Sequence, residues 1–351
     1  MSIIIWSALP RWIQSEHAGT LERTVETGQD MKVSVALCTY NGARFLPAQL
    51  ASIAAQTRLP DELILRDDGS SDDTLRIAQD FAATFPGRVD IAVNPERRGV
   101  TANFEGALRA ATGGLVLLSD QDDVWHPDRV ALALAAFDSS PELRLFFSDA
   151  RLVDSLGEPL GETQLQALGM QEREVRAIEA GQAFSVFAVR NLPLGATMCV
   201  SRDVLKDALP IPTCWLHDEW LALIAAAKGR VIYLDRETID YRQHGNNVLG
   251  APPRTVLQKF RAIFSPKRDV RKLMLERDQA LMERLSQLAV APVHLKTCAD
   301  KLEHSRVRSQ LAPARLFRIL PVLREVFSGR YQRCSGGWKS IVIDLLRPIQ
   351  R

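Results

Sequence analysis

The chain has 351 residues, 46% of them hydrophobic and 25% charged, with a formal net charge of +2. That composition is ordinary for a globular protein with a sizeable core, and the length suits one large α/β domain or two smaller ones. Five scattered cysteines without a CxxC pair exclude a disulfide framework or a zinc knuckle and fit a reducing cytoplasm.

No apolar run reaches the roughly 18 residues that span a bilayer, and Ser2–Leu9 is too short and lacks the basic start of a signal peptide. Charge is unevenly spread. Residues 251–351 carry roughly +13, which leaves the first 250 near −11.

Residues 1–30 show no clear period, whereas Met31 opens directly onto the strand-like run "KVSVAL". The expectation is that Met31 is the natural start, or that residues 1–30 form a loosely attached extension. From Met31 the pattern alternates. Strands are predicted at 33–37, 62–66, 89–93 and 115–119, and helices at 43–56, 70–85 and 102–111. This rhythm predicts βαβ units and a mostly parallel sheet. Ligands bind such sheets beyond the carboxyl ends of the strands. That rule brings Thr39–Asn41, Asp67–Ser71, Asn94–Gly99 and Asp120–Asp123 to one place.

Further along, 144–154 reads as strand, 161–181 as loop or irregular helix, and 194–205 as strand then turn. A helix is predicted over 217–229, ending at Gly229, then a strand over 230–235 and a polar loop over 241–247. Helical periods then dominate, at 254–264, 267–290, 294–308 and 314–327.

Four clusters carry possible chemistry. In "LLSDQDDVWHP", Asp120, Asp122 and Asp123 follow an apolar strand. Alone, the cluster is as well explained by a turn and a helix N-terminus. At a strand's carboxyl end, its hard oxygens also suit Mg²⁺ or Mn²⁺ with open positions for phosphates. In "RDDGSSDDT", a glycine turn and helix cap compete with a nucleotide pocket in which Asp68 accepts from a base N–H. In "HDEW", Asp218 is either an N-cap or a general base for an alcohol. His244, in "YRQHGNN", is an ordinary loop histidine unless a metal lies near. No GxGxxG follows the first strand and no GxxxxGK[ST] occurs, so neither a dinucleotide fold nor a P-loop is indicated.

Taken together, "VSVALCTYNGARFLPAQLASIAAQT", "RDDGSSDDT", "NFEGALRAATGGLVLLSDQDDVWHPDR", "HDEWLALIAAAKG" and "YRQHGNN" resemble the family 2 inverting glycosyltransferases, and within them the rhamnosyltransferase-like branch of bacterial surface-polysaccharide synthesis. The resemblance runs from about Met31 to Gly250. It implies a GT-A fold: α/β, Rossmann-like, a mostly parallel central sheet flanked by helices, here with a C-terminal helical extension. It divides the chain into an extension (1–30), a catalytic domain (31–250) and a basic helical region (251–351).

The resemblance also implies residue roles. Thr39, Tyr40, Asn41, Asp67, Asp68 and Asp120 would bind the nucleotide. Asp122, with Asp120 and His244, would hold Mg²⁺ or Mn²⁺, supported by Asp123. Asp218 would be the catalytic base, with Glu219 as fallback, because Glu219 stands where this branch often has an aromatic residue. Gly195 and Trp220 would lie on the acceptor side. The partners implied are a nucleotide-diphosphate sugar, dTDP-rhamnose or a UDP-sugar, and a glycan or lipid-linked acceptor. The rival readings are a UDP-hexose-using enzyme of the same fold and a catalytically silent sugar-nucleotide scaffold. A sugar-phosphate nucleotidyltransferase is disfavoured, because "CTYNGARF" lacks its Gly-rich, Arg-bearing first loop.

The tail, with stripes such as "ARLFRILPVLREVF", reads first as a helical cap with a solvated basic face. The second reading is peripheral attachment of a cytoplasmic protein to the inner face of the membrane. Nucleic acid is disfavoured by the absence of a recognisable motif.

Overall fold

The computed structural model describes residues 31–244 and 270–348. The extension expected over 1–30, the helix expected at 254–264 and the end of the 241–247 loop lie outside them. The chain divides into two compact units, one built from residues up to 183 together with 192–245, the other from 184–191 with 246–351.

The first unit begins as expected. β1 (Val33–Thr39) is buried at every position, as a strand covered on both faces must be. α1 (Leu46–Ala54) buries Leu46, Gln49, Leu50 and Ile53, one face of a 3.6-residue period. β2 (Glu62–Asp67), α2 (Thr74–Ala82), β3 (Arg88–Val93), α3 (Val100–Ala110) and β4 (Leu115–Ser119) follow. The strands lie in the order β3-β2-β1-β4, all parallel.

α2 starts at Thr74, later than predicted. Asp72 accounts for the delay. Its carboxylate accepts from the backbone N–H of Thr74 and of Ala43, both at 3.1 Å, and so ties the acidic stretch to the neighbouring loop.

Beyond β4 come β5 (Val124–Trp125), α4 (Arg129–Ser139), β6 (Leu143–Val153), β7 (Pro159–Thr163), α5 (Gln164–Leu168) and α6 (Glu172–Glu179). The stretch read as irregular is thus a strand end and two short helices. Both helices carry a capping box, at Thr163/Gln166 and at Gln171/Glu174. After α7 (Ala183–Phe187), a 3-10 turn (Gly195–Thr197) precedes β8 (Cys199–Ser201), α8 (Arg202–Ala208), α9 (His217–Lys228) and β9 (Arg230–Arg242).

The sheet continues β4-β8-β6-β9-β5. β8 runs antiparallel to both neighbours and β6 pairs with β9 in parallel, so the sheet is mixed but mostly parallel. β9 runs well past residue 235, so Tyr241 and Arg242 belong to a strand rather than to a loop. Gly229 does end α9, though with extended backbone (φ 176°) rather than a left-handed cap. A Cβ there would stand 2.5 Å from the Glu142 carbonyl oxygen, so close approach is what requires glycine.

The second unit is helical: α10 (Val270–Gln287), α11 (Pro292–Ser309), a 3-10 turn (Arg315–Arg318), α12 (Ile319–Phe327), α13 (Arg330–Cys334) and α14 (Trp338–Leu346).

An ion cluster braces the far side of the sheet. Asp240 of β9 accepts from Arg151 Nε and Nη2, both at 2.8 Å, and lies 2.9 Å from His126 Nε2. Burial would raise this carboxyl, but the bonds from His126 and Arg151 bring it down to about 2. A depressed carboxyl adds stability above its unfolded pKa and loses it as pH falls through the folded value. Asp240→Asn is therefore expected to destabilise the fold by roughly 1–2 kcal/mol at pH 7, discounted for the exposure of Arg151. It should also remove the part of wild-type stability that is lost between about pH 4 and pH 2. Chemical denaturation at several pH values checks this, and equal stability of variant and wild type at pH 7 would contradict it.

Candidate active site

Strand register gathers the candidate loops. Thr39 pairs with Asp67, Asp67 with Val93, and Leu37 with Ser119. The loops after β1, β2, β3 and β4 therefore leave the sheet side by side.

The first two loops are built on carboxylates. Asp67 is fully buried; it accepts from Thr39 Oγ1 (2.8 Å), Gly69 N (3.1 Å), Ser70 N (2.7 Å) and Ser70 Oγ (2.5 Å). Asp68 accepts from Asn94 Nδ2 (2.9 Å), Arg98 N (2.7 Å) and Gly99 N (2.8 Å). Three of its lone pairs thus organise the loop after β3, and about one remains for a ligand. Asn41 is the only non-glycine residue with positive φ among those described, at 47°. Its side-chain oxygen accepts from Ser71 N at 2.9 Å, which ties this turn to the loop after β2.

Tyr40 is fixed from both sides. Gln121, the middle residue of the acidic motif, accepts from Tyr40 N (2.9 Å) and donates to Tyr40 O (3.1 Å). A Cβ at position 42 would overlap the Gln121 amide, which explains Gly42. The Arg97 guanidinium lies 4.1 Å from the centre of the Tyr40 ring. Sequence reading missed Gln121 and Arg97, since nothing in a linear motif ties either to Tyr40.

The acidic loop is clamped from beneath. Arg242 donates from its backbone to Asp123 Oδ1 (3.2 Å) and from Nε to the Asp122 carbonyl (3.0 Å). The Gln49 amide sits among Ser119 Oγ, the Asp123 carbonyl and Trp125 Nε1. Arg129 is buried, lies over the Trp125 ring at 4.2 Å, and donates to the Leu118 carbonyl.

His244 Nε2 stands 2.7 Å from Asp122 Oδ2, and its ring stacks on Phe45 with centroids 5.0 Å apart. The structure thus brings Asp122 and His244 together. Asp120 is pushed up to about 7, first by burial, then by Asp122 and Asp218, against the pull of Arg129. Burial, Asp122 and Asp120 likewise push Asp123 well up, although the Arg242 N–H opposes them.

Asp218, in the first turn of α9, lies near enough to Asp120 for its charge to push that carboxyl up. It is 4% exposed, and its Oδ1 accepts from Glu219 N at 2.7 Å. Glu219 is half-buried. Gly195 lies against Asp218: a Cβ there would stand 3.3 Å from Asp218 Cβ and 3.1 Å from His217 Nε2. His217 stacks on Phe104 at 3.8 Å, and neither ring nitrogen has a partner among the described residues. Burial holds His217 down to about 3, so it is neutral at ordinary pH.

One expected residue is corrected. Trp220 is fully buried and its indole donates to the Ala208 carbonyl at 2.7 Å, so it packs the α8–α9 interface and presents no surface to an acceptor.

The donor set fits a divalent cation only in part. Among the described residues, no three His, Cys, Asp or Glu side chains form a ready cage. The Asp122–His244 pair with Asp120 beside it offers oxygen and imidazole ligands of the right chemistry. Mg²⁺ is commonly bound in this way, by one or two carboxylates completed by substrate phosphates.

Comparison with known proteins supports the same reading. Residues 34–159 match the family model described as Glycosyl transferase family 2. An uncharacterized glycosyltransferase of Nostoc sp. is 26% identical over 66% of this chain and 71% of its own length. The dTDP-rhamnosyl transferase RfbG of Shigella flexneri is 27% identical over 61% of this chain and 74% of its own length. The crystal structure of Staphylococcus aureus TarS residues 1–349 in complex with UDP-GlcNAc shares the fold, with a TM-score of 0.57 at 15% identity over 87% of this chain and 82% of that one. The match over residues 34–159, the curated glycosyltransferase relatives and the shared GT-A fold support a family 2 glycosyltransferase.

Proposed function

We propose that the protein is an inverting glycosyltransferase that moves rhamnose from dTDP-rhamnose to a hydroxyl of a glycan or lipid-linked acceptor in bacterial surface-polysaccharide synthesis. In this reading residues 31–250 are the catalytic domain and 251–351 an accessory helical region. The likeness to a dTDP-rhamnosyl transferase supports rhamnose over a UDP-hexose. A peripheral position at the inner face of the cell membrane suits a lipid-linked acceptor. The single observation that carries the mechanism is the placement of Asp218 opposite the acidic loop, close enough to raise Asp120.

The nucleotide lies across the loops after β1 to β4, with Thr39, Tyr40, Asn41 and Asp68 around the base and Arg97 over the Tyr40 ring. Asp122 and His244, with Asp120 adjoining, would hold Mg²⁺ or Mn²⁺, which would supply positive charge to offset that of the diphosphate leaving group. Gln121 and Arg242 keep that loop in place before substrate arrives, so little reorganisation is needed. Asp218 accepts the acceptor hydroxyl's proton, and the acceptor oxygen attacks the anomeric carbon from the face opposite the diphosphate. One displacement inverts the configuration. Gly195 leaves room beside Asp218, and neutral His217 offers a hydrogen-bonding ring on the same side.

Asp218→Asn is expected to lower kcat by about 10³-fold or more while leaving donor binding nearly unchanged, because a general base acts on the acceptor. Glu219→Gln should change kcat only a few-fold. The reverse ranking in a kinetic assay would move the base to Glu219. Product analysis by NMR should show inversion at the anomeric carbon relative to donor; retention would rule out the single displacement.

A further inference from the structure

Around α12 the helical unit buries charged side chains beside a small apolar core of Leu311, Val322 and Tyr331. A surface helix ordinarily hides its apolar stripe and exposes its charges. Here the inward side holds Glu325, 2% exposed, which accepts from Arg330 (2.6 and 3.0 Å) and lies 2.7 Å from His304 Nδ1. Just before the helix, fully buried Arg318 donates to the carbonyls of Ala312 (2.6 Å), Pro313 (2.5 Å), Asp344 (3.0 Å) and Arg347 (2.7 Å). Asp344, also fully buried, accepts from Arg308 Nε (2.6 Å) and the Tyr331 hydroxyl (2.8 Å).

The outward side is apolar. Leu316 is 74% exposed, Leu320 59%, Leu323 44% and Phe327 86%. Their spacing, i, i+4, i+7 and i+11, forms one continuous stripe along the 3-10 turn and α12. A contiguous exposed stripe of large apolar groups marks an interaction surface, not chance exposure.

Charge identifies what covers it. From residue 311 to the end of the chain the only acidic residues are Glu325 and Asp344, and both are buried. The exposed charges among the described residues there are therefore positive, with Arg315 and Arg324 beside the stripe and Lys339 in the first turn of α14. A second copy of this face would set arginine against arginine. An anionic bilayer surface matches both features: the leucines and Phe327 enter the acyl boundary while the arginines meet lipid phosphates. No helix among the described residues is long and apolar enough to cross a membrane, so the contact lies in the plane of the surface.

We propose that the outward face of Arg315–Phe327 docks the protein peripherally on anionic membranes. The test needs no substrate and so stands apart from the glycosyltransferase mechanism. Full-length protein is floated with vesicles of phosphatidylcholine, with and without about one-third phosphatidylglycerol. Wild type should float with the anionic vesicles at low salt and be released as salt rises. Leu320→Glu/Phe327→Glu replaces exposed side chains only; it should keep the wild-type melting temperature and reduce anionic-vesicle binding about tenfold or more. As a second variant, Arg315→Glu/Arg324→Glu should erase the preference for anionic over neutral vesicles. Absence of wild-type flotation at low salt would overturn the proposal. So would flotation that neither variant changes, or a dimer seen by light scattering that the apolar variant dissociates while wild type fails to float.

Discussion

Like-charge crowding at the end of β4 is the constraint around which the first unit is arranged. Asp120, Asp122 and Asp123 leave one strand end within four residues, and Asp218 approaches from α9. Carboxylates this close cannot all ionise freely without a compensating positive charge. The chain supplies some of that charge itself. Arg129 lies buried under the loop, Arg242 donates to it twice, and His244 meets Asp122. The charge still left over is where a cation and a diphosphate fit the enzyme reading.

The rest of the unit holds this cluster in place. Parallel pairing of β1, β2, β3 and β4 aligns their carboxyl ends, and the loops are then tied to one another instead of to solvent. Asp67 fastens the turn after β2 to Thr39, Asp68 fastens it to the loop after β3, and Gln121 fastens the acidic motif to Tyr40. These carboxylates accept backbone N–H groups, the kind of charge-assisted bond that fixes a loop firmly. A preorganised loop set of this sort suits a reaction in which positioning and charge stabilisation carry most of the acceleration.

Much of this was legible in the sequence, because buried parallel strands read as unbroken apolar runs and their helices keep a clear period. β1, β2, β4 and α9 fall where those patterns predict. The errors have physical causes. α5 and α6, five and eight residues long, are set by capping boxes and are too short to show a clear period. Trp220 lies two positions after Asp218, and on a helix two positions turn a side chain by about 200°, here into the core. Gln121, Arg97 and Arg242 act on partners 57 to 120 positions distant, contacts that no local motif encodes. The exposed apolar side of α12 was equally hidden, since a stripe of leucines among arginines reads the same whichever side faces inward.

The central claim is that the acidic loop and the loops of β1 to β3 form one nucleotide site completed by a divalent cation. Its most direct test is calorimetry and thermal unfolding of the protein with dTDP, UDP or GDP, each with and without Mn²⁺ or Mg²⁺. A ligand that binds only the native state raises apparent stability by mass action. The account predicts that one nucleotide diphosphate, dTDP foremost, stabilises the protein only when the cation is present, and that Asp122→Ala loses this effect while remaining folded. Absence of a response to every nucleotide, or an equal response in the Asp122 variant, would contradict it.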